Sequence, residues 1–430
     1  MAHIDSNFKS IQGGTSTFST LFLGSRVIYT IEPENVKAIF ATNFRDYGQT
    51  KTRKDALAIF GPGIFTVDGH QWEASRALLR PNFVRNLVGD MSAFETHVLK
   101  MLEKIPGCGR VIDMQELFLH LTMDSATELL LGESTGLLGD RPKPEAVRFM
   151  QAFSFVSGRL SVRMGIGWLA TIIPDMKFHR GIDDMKSFVN IYVSRALDMQ
   201  RKSITATKDK VNATQKEEDR YVFLPHLAQS GYDQKRIGAE LMAVIVAGGG
   251  STSSLLTMFW FTIARHPDVF LKLRDEVLRT IGNRPPSFEE LKDLRYLSWT
   301  MRELQRMYPV IPVNSRVAVK DSILPLGGGI DGKSPVFVKK GTQILHFPYS
   351  MHRRKDIYGP DADDWEYLPF SGGPRSCIGQ QLALTEASYT TVRLIQTFKN
   401  VRPGDNTAWA EKLVLSMSVK SGCNLIFTPA

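Results

Sequence analysis

Apolar residues recur at helical spacing along most of this chain, which indicates a mainly helical protein. Positions three and four apart predict long helices at 92–104, 111–132, 183–201, 233–265, 286–308 and 378–398. A shorter helix is predicted to begin at Pro33, because proline fixes the backbone angle of a first helical turn. The segment 201–220 is polar and charged with nothing to pack, and is predicted to be an exposed loop.

Strand patterns occur in three shorter stretches of the chain. β-Branched runs predict strands just before Pro33, within 313–344 and in the C-terminal stretch 413–427. Glycines between the runs of 313–344 predict turns. The sequence therefore predicts a helical body with a small β-rich part made from both ends of the chain.

Composition narrows the class of protein. Hydrophobic residues at 43% and charged residues at 23% are typical of a folded globular protein. The formal charge of +9 favours an acidic partner or an anionic membrane surface. No nucleic-acid partner is expected, because the basic residues are dispersed and no nucleic-acid-binding motif is found. Three scattered cysteines suggest a reducing compartment.

The loop FSGGPRSCIG, residues 370–379, surrounds Cys377 with small and rigid residues. Gly373 permits backbone angles closed to other residues, Pro374 fixes the next turn, and Gly379 leaves room for a flat group behind the sulfur. Helical spacing begins directly afterwards, which places Cys377 at a helix N-terminus. There the helix dipole favours a thiolate over a thiol.

A thiolate in this loop could be a nucleophile or a metal ligand. A nucleophile needs a nearby base, yet the nearest histidine in sequence is His352. Zinc needs a second ligand at close spacing, which is missing. The remaining interpretation is one axial thiolate to a metal whose other ligands come from a cofactor, as in haem iron. Arg375 then offers a cation for a haem propionate, and Phe370 an aromatic wall.

Phe370, Gly373, Arg375, Cys377 and Gly379 together resemble the cysteine-loop signature of the cytochrome P-450 family, the haem-thiolate monooxygenases. The resemblance implies haem b as cofactor, with Cys377 as its axial metal ligand. It also implies the cytochrome P-450 fold, mainly α, with a large helical domain and a small β-rich domain. Residues 1–430 are then expected to form a single catalytic domain.

Further cofactor-binding residues follow from the resemblance. Trp72 and Arg76 in WEASR resemble the family's Trp-x-x-x-Arg propionate contact, and Arg316 in VNSRVA stands where the family has another propionate-binding basic residue. Glu303 and Arg306 in ELQR resemble its buried Glu-x-x-Arg pair. Each has an ordinary alternative when taken alone, since such pairs are usually surface ion pairs and a tryptophan usually belongs to the core.

Three consecutive glycines, Gly248 to Gly250, interrupt the helix predicted at 233–265. Each weakens a helix by roughly 1 kcal/mol relative to alanine, so a passing ligand or close helix packing must require them. The family's helix reads Ala/Gly-Gly-x-Asp/Glu-Thr-Thr/Ser. The resemblance implies that Gly248 leaves room for dioxygen and that Ser251 and Thr252 are catalytic residues that relay protons. Gly250 replaces the family's acid, so slow oxygen activation with leakage to peroxide is expected.

A second departure concerns the segment before the cysteine loop, where Asp364 runs directly into Trp365. The family has a Pro-Glu-Arg-Trp meander here, whose arginine completes a network with the Glu-x-x-Arg pair. Leaving a buried charge unpaired costs several kcal/mol, so poor haem loading is expected. Two alternatives to a hydroxylase stay open: a peroxide-rearranging haem-thiolate enzyme that needs no reductase, and an impaired haem-binding remnant.

The stretches GIFTVDGHQWEASRALLRPNF and YPVIPVNSRVAVKDSILPLGG are most similar to fungal P-450 proteins that hydroxylate n-alkanes and fatty acids. The resemblance implies ω-hydroxylation of a hydrophobic small molecule. The candidate pocket residues are apolar: Val246, Ala247, Ile311, Val313, Leu415 and Met417.

Partners and location are likewise implied by the resemblance. NADPH is expected to supply electrons through NADPH–cytochrome P-450 reductase, at the cytosolic face of the endoplasmic reticulum membrane. The sequence shows no membrane anchor, which by itself indicates a cytosolic protein. The stretch 157–174 mixes arginines with Trp168, Leu169 and Ile172, and fits a membrane-dipping loop and an internal core helix equally.

Overall fold

Helices make up most of the computed structural model, which describes residues 15–22, 24–83, 91–107, 109–167, 169–209, 223–358 and 365–430. The helices are α1 Pro33–Lys37, α2 Lys51–Leu57, α3 Gly69–Leu79, α4 Met91–Glu103, α5 Met114–Leu131, α6 Pro144–Ile166, α7 Leu169–Ile172, α8 Met176–Asp209, α9 Phe223–Ala228, α10 Gln234–Ile263, α11 Pro267–Thr280, α12 Phe288–Asp293, α13 Arg295–Met307, α14 Pro348–Met351 and α15 Gln380–Thr397. This confirms the mainly α architecture.

Several predicted helices are found within one or two residues of their expected bounds, namely α4, α10 and α15. The helix predicted at 286–308 is two helices, because Ser287 and Glu290 form a capping box that begins α12 and a break at Leu294 separates it from α13. The loop predicted at 201–220 is wrong at its start, since α8 continues to Asp209. Residues 210–220 lie outside the described residues.

Helix α10 forms the centre of the helical body. Its N-terminus is capped by the Asp233 side chain, which accepts a hydrogen bond from the N–H of Arg236. Along its length α10 packs against α5, α8 and α15, and it buries Phe259 and Trp260 completely. In the described part of the chain α10 alone is long and apolar enough to cross a membrane, and 72% of its apolar window is buried in the protein. Burial in the core therefore accounts for its hydropathy.

The largest sheet has five strands in the order β1-β2-β8-β5-β3. The strands are β1 Thr17–Phe22, β2 Ser25–Thr30, β3 Tyr47–Gly48, β4 Ile112–Asp113, β5 Asn314–Ala318, β6 Ser322–Gly328, β7 Ser334–Val338, β8 Gln343–His346, β9 Phe398–Pro403, β10 Glu411–Leu413, β11 Met417–Val419 and β12 Asn424–Pro429. Strands β2 and β8 are parallel, and the other pairs of this sheet are antiparallel.

Strands from both chain ends form the predicted β-rich part, but they belong to separate sheets. The N-terminal strands pair with strands from 314–346, whereas β12 and β9 form a separate three-stranded sheet with β4. Strands β6 and β7 form one hairpin, and β10 and β11 another. The five-stranded sheet and the β10–β11 hairpin both contribute residues to the cavity described next.

Candidate cofactor site

A cavity of about 580 Å³ lies between α10, strands β5 and β8 and the cysteine loop. Cys377 is part of its lining, together with most of the residues proposed from sequence. Among the candidate pocket residues, four line this cavity: Val246, Ala247, Ile311 and Leu415. Val313 and Met417 do not, because Val313 packs against the core beside the sheet and Met417 is buried in β11.

The cysteine loop is held by backbone constraints that only glycine satisfies. The N–H of Cys377 donates to the carbonyl of Phe370 at 3.0 Å, which closes the loop. Gly373 has a φ of +68°, and a Cβ there would overlap the carbonyl of Phe40. Gly379 is the N-cap of α15, and a Cβ there would make an ordinary contact with the Phe83 ring at 3.8 Å. The helix predicted after the loop is confirmed, and the room that Gly379 leaves for a flat group stays a prediction.

The Cys377 thiol opens onto the cavity, while the surrounding protein encloses it from bulk solvent. Burial raises the pKa of Cys377, and the N–H of Gly379 and the charge of Arg76 act in the opposite direction. The helix terminus therefore does not by itself produce a free thiolate. In the described part of the chain, no group of three His, Cys, Asp or Glu side chains could hold a metal ion.

Arginines from distant parts of the chain converge on one end of the cavity. Arg316, on β5, is 4% exposed and donates a hydrogen bond to the side-chain amide oxygen of Asn314 at 3.1 Å. Arg53, on α2, donates to the same oxygen at 3.3 Å. Arg375 comes from the cysteine loop and pairs with Asp68 at 2.6 Å. Arg53 carries one N–H, on Nε, without a hydrogen-bond partner.

The charges in this cluster do not balance. Burial, followed by repulsion from Arg375, lowers the pKa of Arg53 to about 10. Burial and the charges of Arg53 and Arg375 lower the pKa of Arg316 well below its usual range. The one carboxylate that opposes these shifts, Asp68, is already shared by Arg375 and Lys54. Within the described residues, Arg53 and Arg316 therefore have no carboxylate of their own, and the carboxylates of haem propionates fit that need.

Trp72 and Arg76 lie one turn apart on α3, beside the cysteine loop. Arg76 donates to the carbonyl of Ser376 at 2.8 Å, next to Cys377. Trp72 is buried, and the guanidinium of Arg375 stacks 4.4 Å from the centre of its ring. Both side chains line the cavity, so the structure brings this predicted pair together with Arg375 and Cys377.

The three glycines of α10 serve two different purposes. A Cβ at Gly249 would overlap the Met123 side chain of α5, whereas Gly248 and Gly250 line the cavity. Close helix packing therefore explains Gly249, whereas a passing ligand stays a prediction for Gly248 and Gly250. Ser251 donates to the carbonyl of Ala247 at 2.7 Å, and Ser251 and Thr252 both line the cavity.

Glu303 and Arg306 lie outside the cavity lining. They form a bidentate ion pair on α13 with both contacts at 2.7 Å, and Arg306 also donates to the carbonyl of His352. The His352 ring accepts from the N–H of Leu368, just before the cysteine loop. The Glu303 side chain is 59% exposed, so the expectation that the pair is buried does not hold for its acid. The predicted meander omission adjoins residues 359–364, which lie outside the described residues.

Three further residues with ionisable side chains line the cavity but were not predicted from the sequence: Arg53, His346 and Glu386. Arg53 and His346 reach the cavity through contacts with 314–316, far away in sequence. The spacing of α15 could have placed Glu386, because Glu386 lies between the partly buried Leu382 and the buried Tyr389 on a helix that begins beside Cys377. Burial raises the pKa of Glu386 to about 8.

Comparison with known proteins agrees with this geometry. The family model for cytochrome P-450 matches residues 1–417. "Cytochrome P-450 monooxygenase himC" of Aspergillus japonicus is 39% identical over 421 residues, which cover 95% of this chain and 75% of that protein. "Cytochrome P-450 52A13" of Debaryomyces hansenii is 37% identical, with 94% and 82% covered.

A solved structure shows the same fold. The crystal structure of the cytochrome P-450DA heme domain matches with a TM-score of 0.78 at 19% identity, covering 100% of this chain and 92% of that one. Together with the match of the family model over nearly the whole chain, this agrees with a cavity that Cys377 lines. The chain therefore belongs to the cytochrome P-450 family of monooxygenases.

Proposed function

We propose that this cytochrome P-450 hydroxylates the terminal (ω) carbon of n-alkanes or fatty acids of medium or long chain length. The observation that carries the proposal is the cavity, whose lining combines Cys377 and the arginines Arg53, Arg316 and Arg375 with mostly apolar side chains. Haem b bound by Cys377 would supply the activation of dioxygen. An apolar channel accommodates a long hydrocarbon, and the resemblance to fungal alkane and fatty-acid hydroxylases supports that choice.

The residues of α10 that line the cavity would act where dioxygen binds. Gly248 lines the cavity, and a Cβ there would make an ordinary contact with Ala126 at 3.7 Å. The hydroxyls of Ser251 and Thr252 can pass protons into the cavity, and the apolar lining limits other water. Position 250 offers no carboxylate, so proton delivery depends on hydroxyls and ordered water alone at this point of α10.

A Gly250→Asp variant tests the role assigned to the missing acid. A Cβ at this position would lie 3.4 Å from the Phe153 ring, so it fits without displacing the helix. The variant is expected to convert a larger share of consumed NADPH into hydroxylated product and less into peroxide. Unchanged or poorer coupling would mean that the acid is not limiting.

The cofactor and the substrate class need separate measurements. Reduced protein under carbon monoxide should show the red-shifted absorption band of thiolate-ligated haem, and Cys377→Ser should lose it. Titration with fatty acids and alkanes of increasing length should shift the haem spectrum of the wild type, and products should carry a terminal hydroxyl. If no fatty acid or alkane shifts the haem absorption spectrum, this substrate class is excluded.

We further propose NADPH–cytochrome P-450 reductase as the electron donor, at the cytosolic face of the endoplasmic reticulum membrane. The net charge of +9 supports an acidic protein partner. Ile172, Ile173 and Met176 are largely exposed at the connection of α7 to α8, and such an apolar patch suits a membrane surface. Trp168 lies outside the described residues. Flotation with liposomes, compared between the wild type and Ile172→Ser/Met176→Ser, tests the membrane contact.

The absence of an acid at position 250 also favours a second candidate function. A peroxide-rearranging haem-thiolate enzyme takes its oxygen from the substrate and needs neither protons nor a reductase. Conversion of a lipid hydroperoxide without NADPH and reductase, at a rate exceeding that of hydroxylation with them, would favour this candidate over the hydroxylase.

A further inference from the structure

His346 is a buried histidine of the cavity lining whose ring has no hydrogen-bond partner. It is 4% exposed, and neither Nδ1 nor Nε2 has a partner within hydrogen-bond geometry. Buried polar groups in proteins are nearly always paired, so such a ring requires an explanation. The ring contributes to the same cavity as Cys377.

The sheet register places His346 beside the arginine cluster. In the antiparallel pairing of β5 and β8, Asn314 lies opposite His346 and Arg316 lies opposite Ile344. Residues two apart on a strand share a face, so His346, Asn314 and Arg316 belong to one surface of the sheet. The Phe40 ring connects them, with the Arg316 guanidinium 4.4 Å from its centre and the His346 ring centre 6.0 Å away.

The surroundings keep this imidazole neutral. Burial is the main cause that lowers the pKa of His346 to about 3, and the neighbouring His352 and Arg316 add to it. The Thr30 carbonyl opposes that shift as a nearby acceptor, although it lies outside hydrogen-bond geometry to either ring nitrogen. A neutral imidazole carries one N–H donor, which needs an acceptor. The neighbouring side chains of the cluster are mainly donors, because guanidinium groups accept no hydrogen bonds.

We propose that His346 donates a hydrogen bond to a carboxylate of the bound haem and so adds a neutral contact to those of the arginines. The inference rests on the haem of the proposed function. A carboxylate beside Arg53 and Arg316 would supply the acceptor that the His346 ring lacks and the anion that the arginines lack. His346 is thereby assigned as a cofactor-binding residue.

The test compares His346→Leu, which keeps the bulk, with His346→Gln, which keeps a donor. Ser350→Ala is the matched control, because Ser350 is also buried without a partner but lies outside the cavity lining. The rate of haem loss to excess apomyoglobin and the melting temperature are measured, the latter with and without haem. A hydrogen bond to a charged group is worth enough to change a dissociation rate about tenfold or more.

The expected result is haem loss at least about tenfold faster in His346→Leu, with most of the retention restored in His346→Gln and no change in Ser350→Ala. Without haem, His346→Leu should melt above the wild type, because an unpaired buried polar group is removed; with haem it should melt below. Equal haem loss in His346→Leu and the wild type overturns the inference, as does an equal drop in melting temperature in both states. A wild type that binds no haem overturns the proposed function as well.

Discussion

Replacing Glu386 by glutamine should remove a large part of the pH dependence of this protein's stability. Glu386 is 7% exposed on α15, and its Oε1 has no hydrogen-bond partner. Burial raises the pKa of this carboxyl from 4.5 to about 8, and a hydrogen bond with Ser125 opposes the shift. The folded chain therefore holds a proton that the unfolded chain releases above pH 4.5. The contribution of Glu386 to the free energy of unfolding is therefore fully present below pH 4.5 and is lost as the pH rises to 8.

The size of the effect follows from that difference in pKa. At about 1.36 kcal/mol per pH unit it amounts to roughly 5 kcal/mol in total, of which about 3 to 4 kcal/mol falls between pH 5 and pH 8. For 430 residues, an unfolding entropy of about 2.1 cal/mol/K per residue converts 1 kcal/mol into roughly 1 °C of melting temperature. The melting temperature of Glu386→Gln minus that of the wild type should therefore increase by roughly 3 to 4 °C from pH 5 to pH 8.

Differential scanning fluorimetry at a fixed heating rate, from pH 5 to pH 8, measures this gap. The same exchange at Glu34, an exposed residue in the first turn of α1, is the control and should give a gap independent of pH. The reasoning is refuted if the gap between Glu386→Gln and the wild type is equally flat. In that case water or a polar partner reaches the carboxyl, and it ionises in the folded chain as it does in the unfolded one.

Four further substitutions test the site and the packing that supports it. Gly373→Ala should abolish haem incorporation, measured as haem absorbance per protein, because its Cβ would overlap the Phe40 carbonyl; Gly341→Ala is the control, since it shares a positive φ but has open space. Gly249→Ala should melt below Gly248→Ala, because its Cβ must displace the Met123 side chain, whereas Gly248→Ala gains about 1 kcal/mol of helix propensity without a clash. Gly248→Ala should impair coupling, measured as product per NADPH. Glu303→Gln should cost less than about 1 kcal/mol in unfolding free energy by urea titration, because the acid is 59% exposed. A loss of several kcal/mol would instead mean a buried network.

The part of the site that could be predicted from sequence is the part encoded locally. The cysteine loop and α15 are contiguous, so their spacing alone places Cys377 before a helix. Trp72 and Arg76 are one turn apart on α3, which makes them visible as a pair. The remainder depends on long-range pairing: Arg53 reaches the site only because Asn314 accepts its hydrogen bond, and sequence patterns do not report such contacts.

The burial of individual acidic side chains could not be predicted from the sequence either. Glu303 and Glu386 are both acids on amphipathic helices, yet one is exposed on α13 and the other is enclosed on α15. Their spacing resembles that of any polar position on a helix. Which acid meets water is decided by the neighbouring elements, here α5 with Ser125, whose place is fixed by the whole fold.

The missing acid of α10 is part of a packing arrangement and not an isolated substitution. The position of a Cβ at residue 250 lies 3.4 Å from the Phe153 ring of α6, and the carbonyl of Gly250 accepts a hydrogen bond from Ser254. A carboxylate here would have to lie along the phenyl ring or turn into the apolar cavity, and both places disfavour its charged form. Restoring the acid alone therefore adds a proton carrier whose pKa is raised. For this reason Gly250→Asp should improve coupling most at alkaline pH, where the new carboxyl can exchange its proton.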